Sequence, residues 1–250
     1  MGIIKLYKIM RGIILSGGSG TRLKPLTKIT SKQLLPIYDR PMIYYPLNTL
    51  VKAGIKEILI IVAPERAGDY LNLLGSGKEF GVKFTYEIQD HPEGIAQAFL
   101  IGENFIDKED VALILGDNIF EDDFVEDIKN FKSGAKVFAK KVSDPERFGV
   151  VRFDDKMRAQ EIVEKPKEHI SDYAVTGLYL YDKRVVECAR SMKPSARGEL
   201  EITDVNNWYL QKGELEVALV NGEWLDTGTF DSLLKAQNFA KEKMAGKMAV

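Results

Sequence analysis

Residues 12–36, GIILSGGSGTRLKPLTKITSKQLLP, run from a short apolar strand straight into a glycine-rich loop that carries Arg22 and, ten positions further, Lys32 followed by Gln33. With no Cβ in the way, Gly17, Gly18 and Gly20 let backbone N–H groups come up to phosphate oxygens, and Arg22 and Lys32 add fixed positive charge. A strand opening onto a polyphosphate cradle is how α/β proteins hold nucleotides, at the C-terminal ends of their strands. A plain flexible turn is the other use of three glycines, and the rest of the chain decides between the two.

Two commoner phosphate loops fit poorly. The dinucleotide fingerprint needs a small residue three positions after its second glycine, where helix and strand pack closely, and Gly18-Ser19-Gly20-Thr21-Arg22-Leu23 puts a leucine there. A Walker loop needs Gly-Lys followed by Ser or Thr, whereas the two Gly-Lys pairs of this chain continue into Glu79 and Met248.

Outward from the loop, short apolar runs alternate with helical patterns. Strands are expected at 11–15, 57–63, 83–88 and 110–115, and helices at about 41–53, 65–74 and 94–105. This βαβ rhythm predicts a mainly parallel sheet. Pro46 either kinks the first helix near Tyr45 or marks its true start. Further strands are expected near 135–142, 148–153, 174–181 and 215–220, and helices near 183–191 and 200–212. A last helix from about 229 should share one apolar face among Phe230, Leu233, Leu234, Phe239 and Ala240. With no repeat or long linker, the chain reads as one α/β domain over residues 10–240, a mixed, mainly parallel Rossmann-like sheet flanked by helices. Residues 241–250 read as a tail. Met10 directly precedes a run that can itself open the first strand, so residues 1–9 read as an extension or a misplaced start and are given no function.

Composition narrows the function classes. The 250 residues are 45% hydrophobic and 29% charged, with a formal net charge of -2. Without an excess of cations, nucleic acid and anionic membranes are poor partners. Cys188 is the only cysteine, which excludes intrachain disulfides and cysteine zinc sites and points to core packing on a helix. No apolar run reaches the length of a membrane span, and the start MGIIKLYKIM has no small-residue cleavage site, so a cytoplasmic protein is expected. His91 and His169 lie in polar loops with no Ser or Cys elbow beside them and are expected to face solvent.

Two carboxylates stand out. In Val111-Ala112-Leu113-Ile114-Leu115-Gly116-Asp117-Asn118 a buried strand delivers Asp117 to its C-terminal end. In Trp224-Leu225-Asp226-Thr227-Gly228-Thr229 a second short apolar stretch does the same for Asp226. Asp117 alone would serve as well to cap a following helix. The pair suits a magnesium ion, which takes one or two carboxylates and completes its shell with substrate phosphates and water. In Glu161-Ile162-Val163-Glu164-Lys165-Pro166, strand alternation sends Glu164 to the face of Ile162 and Lys165 to the other, with Pro166 ending the strand. Glu164 and Lys165 at a strand end suit a sugar and its phosphate, although a solvated pair on an edge strand is the commoner use.

Taken together, GGSGTRL with SKQLLPIYDRPMIYYPL, QDHPEGIAQAF, LGDNIF, DPERFGVV, the Glu161-to-Pro166 run, TGLYLYD, ARGELEITDVN and WLDTGTFDSL resemble the glucose-1-phosphate thymidylyltransferases, a branch of the sugar nucleotidyltransferases, from Met10 to about Ala240. The resemblance implies transfer of a thymidylyl group from dTTP to glucose 1-phosphate, yielding dTDP-glucose and pyrophosphate, with Mg²⁺ required. Position by position it implies that Gly17, Gly20, Thr21, Arg22 and Lys32 hold the nucleotide phosphates, and that Gln33, Gln89 and Gly94 line the nucleotide pocket with Gln89 reading the base. It also implies that Asn118, Gly149, Glu164, Lys165 and Val175 contact the sugar phosphate, and that Asp117 and Asp226 hold the metal. Arg22, Lys32, Lys165 and the two aspartates would carry the chemistry, while Arg197 and Glu199 fall in a matching motif without an assigned role. Glucose 1-phosphate brings its own nucleophile, since a phosphate monoester with a second pKa of about 6 is largely ionised at neutral pH, and the lack of a Ser–His–Asp or Cys–His set agrees with that.

A homo-oligomer, dimer or tetramer, is implied as well. Longer members continue past the WLDTGT helix with a helical segment tied to subunit contacts and a second nucleotide-sugar site, and with the sequence ending at Val250 that site is not expected here. UTP or another sugar 1-phosphate would serve the same reaction. A non-catalytic nucleotide-sugar sensor is disfavoured by the retained Asp117, Asp226, Arg22 and Lys165, and an NAD-dependent oxidoreductase by Leu23.

Overall fold

The computed structural model describes residues 9–18 and 20–246. Its strands are β1 (Met10–Ser16), β2 (Pro36–Ile37), β3 (Arg40–Pro41), β4 (Glu57–Val62), β5 (Lys83–Ile88), β6 (Asp110–Leu115), β7 (Asn118–Phe120), β8 (Ala135–Lys141), β9 (Gly149–Phe153), β10 (Ala159–Glu164), β11 (Tyr173–Tyr181), β12 (Leu215–Leu219) and β13 (Trp224–Asp226). Its α-helices are α1 (Tyr44–Lys52), α2 (Ala67–Leu74), α3 (Gln97–Ile101), α4 (Glu103–Ile106), α5 (Val125–Asn130), α6 (Val185–Ser191), α7 (Ile202–Leu210) and α8 (Phe230–Phe239).

β1 is central because both its neighbours run parallel to it, Gly12 to Ser16 against Ile58 to Val62 of β4 and Met10 to Leu15 against Asp110 to Leu115 of β6. β5 extends one edge in parallel. Beyond β6 the antiparallel β11 carries β8 and β9, β8 pairs in parallel with β12, and β10 closes the other edge against β9. Only β10 and β11 run against the other seven strands of this nine-stranded sheet, which is the expected mixed, mainly parallel α/β fold.

Buried parallel strands are apolar on both faces, and alternation sorts their side chains between two cores. Ile13, Leu59, Ile61, Val111 and Leu113 meet α3, α6 and α7 on one side, where Cys188 is fully buried. Ile14, Ile58, Ile60, Ala112 and Ile114 meet α1 and α2 on the other. A third cluster, Leu23, Leu35, Ile37, Met42, Tyr45, Ile119 and Leu225 with Leu233, Ala236, Phe239 and Met244, holds α8 over the loop that begins at Gly17. Leu23 is thus a packing anchor for the glycine loop rather than part of a strand-to-helix turn. Each such leucine, isoleucine, methionine or phenylalanine contributes about 1.5–3 kcal/mol on burial.

Several expectations need correction. α1 begins at Tyr44, ahead of Pro46, and does not kink there, because Pro46 sits in the first turn where its missing N–H has no helical acceptor. The helix expected at 94–105 is two short helices separated at Gly102. Asp117 is followed by strand β7 and not by a helix, so it caps nothing. On α8 the buried face is Leu233, Ala236 and Phe239, continued by Ala240 and Met244, while Phe230 and Leu234 are exposed. Among the described residues no helix is long and apolar enough to cross a membrane.

Candidate active site

β6 and β13 deliver the two aspartates. The strand pair β7–β13 sets Asp226 opposite Asn118, one residue from Asp117. Thr227 locks the arrangement, its backbone N–H and its hydroxyl donating to the Asp117 carbonyl at 3.1 and 2.7 Å. Burial works against ionisation at Asp117, but the Lys32 ammonium paired with its Oδ2 and the Asn118 amide at 3.0 Å from its Oδ1 hold the carboxyl below the ordinary value. Asp226 is pushed the other way, up to about 6, by burial and by the Asp117 charge. Two hard oxygen donors that repel each other form a donor set suited to Mg²⁺. Arg22 comes close to Asp226 over Gly228, where an added Cβ would lie 2.8 Å from Arg22 Nη2 and 3.2 Å from Asp226 Oδ1.

The aspartates border a cavity of about 340 Å³, a size suited to a small ligand, which Arg22, Asn118, Gly149, Glu164, Lys165 and Val175 also line. Asn118 is buried, with Oδ1 accepting from Trp224 Nε1 at 2.6 Å and the Gly177 N–H at 3.0 Å, so its polar atoms brace the wall and Asp117. Glu164 Oε2 accepts the Thr203 hydroxyl at 2.8 Å, and Oε1 lies 3.5 Å from the Lys165 ammonium and 3.6 Å from Arg197. Alternation places Lys165 on the opposite face from Glu164, and that expectation fails. β10 ends at Glu164, and Lys165 takes a left-handed conformation, φ +44°, which turns its side chain into the same cavity. Arg197 bonds Glu201 at 2.9 Å and reaches Glu199 at 3.6 Å, which gathers this segment at the cavity rim.

The glycine loop borders a second cleft of about 350 Å³, lined by Gly17, Gly18, Thr27, Ser31, Arg66 and Gln89. Thr21 is exposed at the start of a 3₁₀ turn. Gln33 is buried beneath the loop with the Tyr70 hydroxyl 3.4 Å from its Oε1, and it lines neither cleft. Gly94 lines neither of these spaces, and its φ of +102° lets it pass so close to Leu200 that a Cβ would lie 2.4 Å from the Leu200 carbonyl oxygen. Leu200 bonds both flanks of that glycine, donating its N–H to Glu93 and accepting that of Ala96. His91 and His169 are exposed, as expected.

Several contributors lie outside the set of residues expected from the sequence. Tyr179, Thr203, Trp224 and Arg147 line the cavity that the aspartates border, Thr227 braces Asp117, and Gln97 bonds Gln89 at 2.6 Å. WLDTGT held a signal for Trp224 and Thr227, since both flank Asp226. Gln97 lies eight residues from Gln89 at the head of a helix, and its pairing depends on how the intervening loop folds back.

A mainly parallel α/β sheet, a glycine loop at the end of its central strand and two aspartates at neighbouring strand ends define a nucleotide-handling α/β protein. The nucleotidyl transferase family model matches residues 11–243, and the chain belongs to that family. The glucose-1-phosphate thymidylyltransferase of Neisseria meningitidis serogroup A is 54% identical over 238 residues, 93% of this chain and 83% of that one. The enzyme of the same name from Mycobacterium tuberculosis strain H37Rv is 54% identical over 237 residues, 93% of this chain and 82% of its own. Among solved structures, a Bacillus anthracis chain assigned as a glucose-1-phosphate thymidylyltransferase, in complex with a sucrose, superposes with a TM-score of 0.88 at 51% identity over 93% of this chain and 96% of that one. A UDP-glucose pyrophosphorylase complexed with UDP-glucose does so at 0.82 and 25% identity, over 94% of this chain and 99% of that one.

Proposed function

We propose that this chain transfers the thymidylyl group of dTTP to glucose 1-phosphate, forming dTDP-glucose and pyrophosphate. The observation that carries the reading is the placement of Asp117 and Asp226 near one another in the wall of the cavity lined by Glu164 and Lys165, with Lys32 tying Asp117 to the segment that follows the glycine loop. The relatives named above agree with this reaction, and family membership makes it a nucleotidyl transfer.

In the chemistry, a phosphate oxygen of glucose 1-phosphate attacks the α-phosphorus of dTTP. A bond forms between that oxygen and phosphorus, the bond from phosphorus to the bridging oxygen breaks, and pyrophosphate leaves with the electron pair. No proton need move, because the attacking monoester is already largely ionised. The work of the protein is to bring two anions into line against their repulsion and to balance charge on the leaving group. Lys165 would hold the incoming phosphate and Glu164 a sugar hydroxyl. Arg22 and Lys32, with backbone N–H groups of the Gly17-to-Thr21 loop, would hold the triphosphate. Gln89 would read the base, with Gly94 shaping the loop beside it. Asp117 and Asp226 would hold Mg²⁺, which supplies charge neutralisation at the transferred phosphoryl group. The reading includes a cytoplasmic setting and a homo-oligomer, both from the family resemblance.

A pyrophosphate-release assay over a matrix of nucleoside triphosphates and sugar 1-phosphates tests it. The highest kcat/KM is expected for dTTP with glucose 1-phosphate, with UTP accepted, since one methyl group in an apolar pocket is worth about 1–3 kcal/mol. Release that is best with a purine triphosphate, or absent with every sugar 1-phosphate, would overturn the assignment.

A further inference from the structure

Gln89, at the end of β5, is 3% exposed, and its amide is one end of a chain of three side chains. Its Nε2 donates to Gln97 Oε1 at 2.6 Å. The same Gln97 Oε1 accepts the backbone N–H of Glu93 at 3.1 Å, and Gln97 Nε2 donates to Glu93 Oε2 at 2.9 Å. An amide can be turned over with little change in shape, so its direction normally follows from its neighbours. Here the neighbours allow one direction only. A backbone N–H must donate and a carboxylate must accept, which fixes oxygen and nitrogen on Gln97. Gln97 then faces Gln89 with an oxygen, which fixes Gln89 in turn. Glu93 is itself held through its carbonyl, which accepts the Leu200 N–H at 2.6 Å. The Gln89 oxygen lies over Gly17, so close that a Cβ there would be 1.9 Å from it.

We infer that Gln97 and Glu93 are positioning residues that set the polarity of Gln89, so that the nucleotide cleft accepts an imide base and rejects cytosine. The inference rests on the assignment of Gln89 as the base reader. Held this way, Gln89 offers an acceptor oxygen and its second N–H in a fixed order. Thymine and uracil match that order, since each presents a ring N–H beside a carbonyl oxygen. Cytosine presents a bare ring nitrogen beside an amino group, the reverse order. To accept it the Gln89 amide would have to turn over, placing its oxygen against the Gln97 oxygen and leaving a buried acceptor unpaired. Thymine and uracil share the edge that is read, so the device separates both from cytosine without separating them from each other.

The test is calorimetric binding of dTTP, UTP and dCTP to the full chain with Mg²⁺ and no sugar phosphate, so that an error in the sugar assignment leaves it intact. Wild type should bind dTTP on the order of 10³-fold tighter than dCTP. Gln97→Met keeps the length of the side chain and removes its polarity. It should shrink that ratio by roughly tenfold or more while leaving the dTTP-to-UTP ratio unchanged. The paired exchange Glu93→Gln with Gln97→Glu keeps an obligate acceptor facing Gln89 and should restore the wild-type ratio, which a general loss of packing would not do. The relay is overturned if wild type binds dTTP and dCTP alike, if Gln97→Met weakens all three nucleotides in parallel, or if the paired exchange fails to restore discrimination. A separate result, unchanged dTTP affinity in Gln89→Ala, would instead remove Gln89 as the base reader and the relay with it.

Discussion

The Thr227 hydroxyl donates to the main-chain carbonyl of Asp117 at 2.7 Å, binding the residue after one aspartate to the backbone of the other. Thr227 is fully buried, and its own N–H meets the same carbonyl at 3.1 Å. The spacing of the two aspartate backbones is therefore set by main chain and one hydroxyl, and the Asp117 carboxylate is then held by the Lys32 and Asn118 side chains.

Thr227→Val keeps the shape and removes the hydroxyl. The Asp117 carbonyl retains the N–H of residue 227, so the loss of stability should stay at about 1 kcal/mol, read from chemical denaturation. The Mg²⁺ concentration for half-maximal turnover should rise while KM for dTTP changes little. An unchanged Mg²⁺ requirement would show that the clamp serves the fold alone.

Asp117→Asn and Asp226→Asn should each leave the fold intact and lower kcat by about 10²-fold or more, because an amide cannot give the metal the charge of a carboxylate. Circular dichroism checks the fold and pyrophosphate release the rate. Near-normal turnover at saturating Mg²⁺ in either variant would take that aspartate out of the site.

Lys165 combines a functional charge with a backbone that suits glycine, φ +44°. A left-handed conformation costs a residue with a Cβ about 1–2 kcal/mol relative to glycine. Its partner Glu164 lies 3.5 Å away across a half-exposed ion pair, which contributes little to stability. Lys165→Gly should accordingly be more stable than Lys165→Ala in thermal melts, while both raise KM for glucose 1-phosphate and lower kcat with dTTP binding nearly unchanged. A collapse of dTTP binding instead would mean that Lys165 serves the nucleotide.

The parts legible in the sequence were those governed by local periodicity. Ile13 and Ile14, or Ile60 and Ile61, can be buried on opposite faces only in an interior strand, so the central parallel sheet could be read from its apolar runs, and Asp117 and Asp226 from the way their strands end. What depended on distant pairing could not be read. β7 and β13 are three residues each, too short to show a pattern, yet their register brings Asp226 opposite Asn118. The face of α8 is not decided by its sequence, because Phe230 and Leu234 are as apolar as Leu233, and only the surface beneath, Leu35, Ile37 and Tyr45, selects which of them is buried. Strand alternation puts Lys165 on the wrong face because it holds only while a strand lasts, and nothing in Glu164-Lys165-Pro166 announces a left-handed turn. Gln97 gives no sequence signal because a glutamine in a helix is ordinarily a solvated residue, and its importance arises from Gln89 and Glu93 converging on it.

Asp226 gives the pH dependence a definite sign. Burial and the neighbouring Asp117 carboxylate push its pKa up to about 6, against an ordinary value of about 3.9 in the unfolded chain. The folded metal-free protein therefore holds this proton more tightly than the unfolded chain does. Its contribution to stability is fully present below about pH 4 and is lost as pH rises through about 6. Other carboxylates titrate in the same range, so the quantity to measure is the stability of wild type relative to Asp226→Asn, taken in EDTA. That difference should move against wild type between about pH 4 and pH 7, because the amide carries no charge to repel Asp117. With Mg²⁺ present the direction reverses, since the ion binds the ionised carboxylate and only the folded state brings the two aspartates together. Mg²⁺-induced stabilisation should accordingly grow as pH rises through about 6 in wild type and stay small in the variant. A wild-type-minus-variant difference that is flat with pH in EDTA would mean that Asp226 titrates near its ordinary value. Flat Mg²⁺ stabilisation across the same range would mean that the ion is held elsewhere.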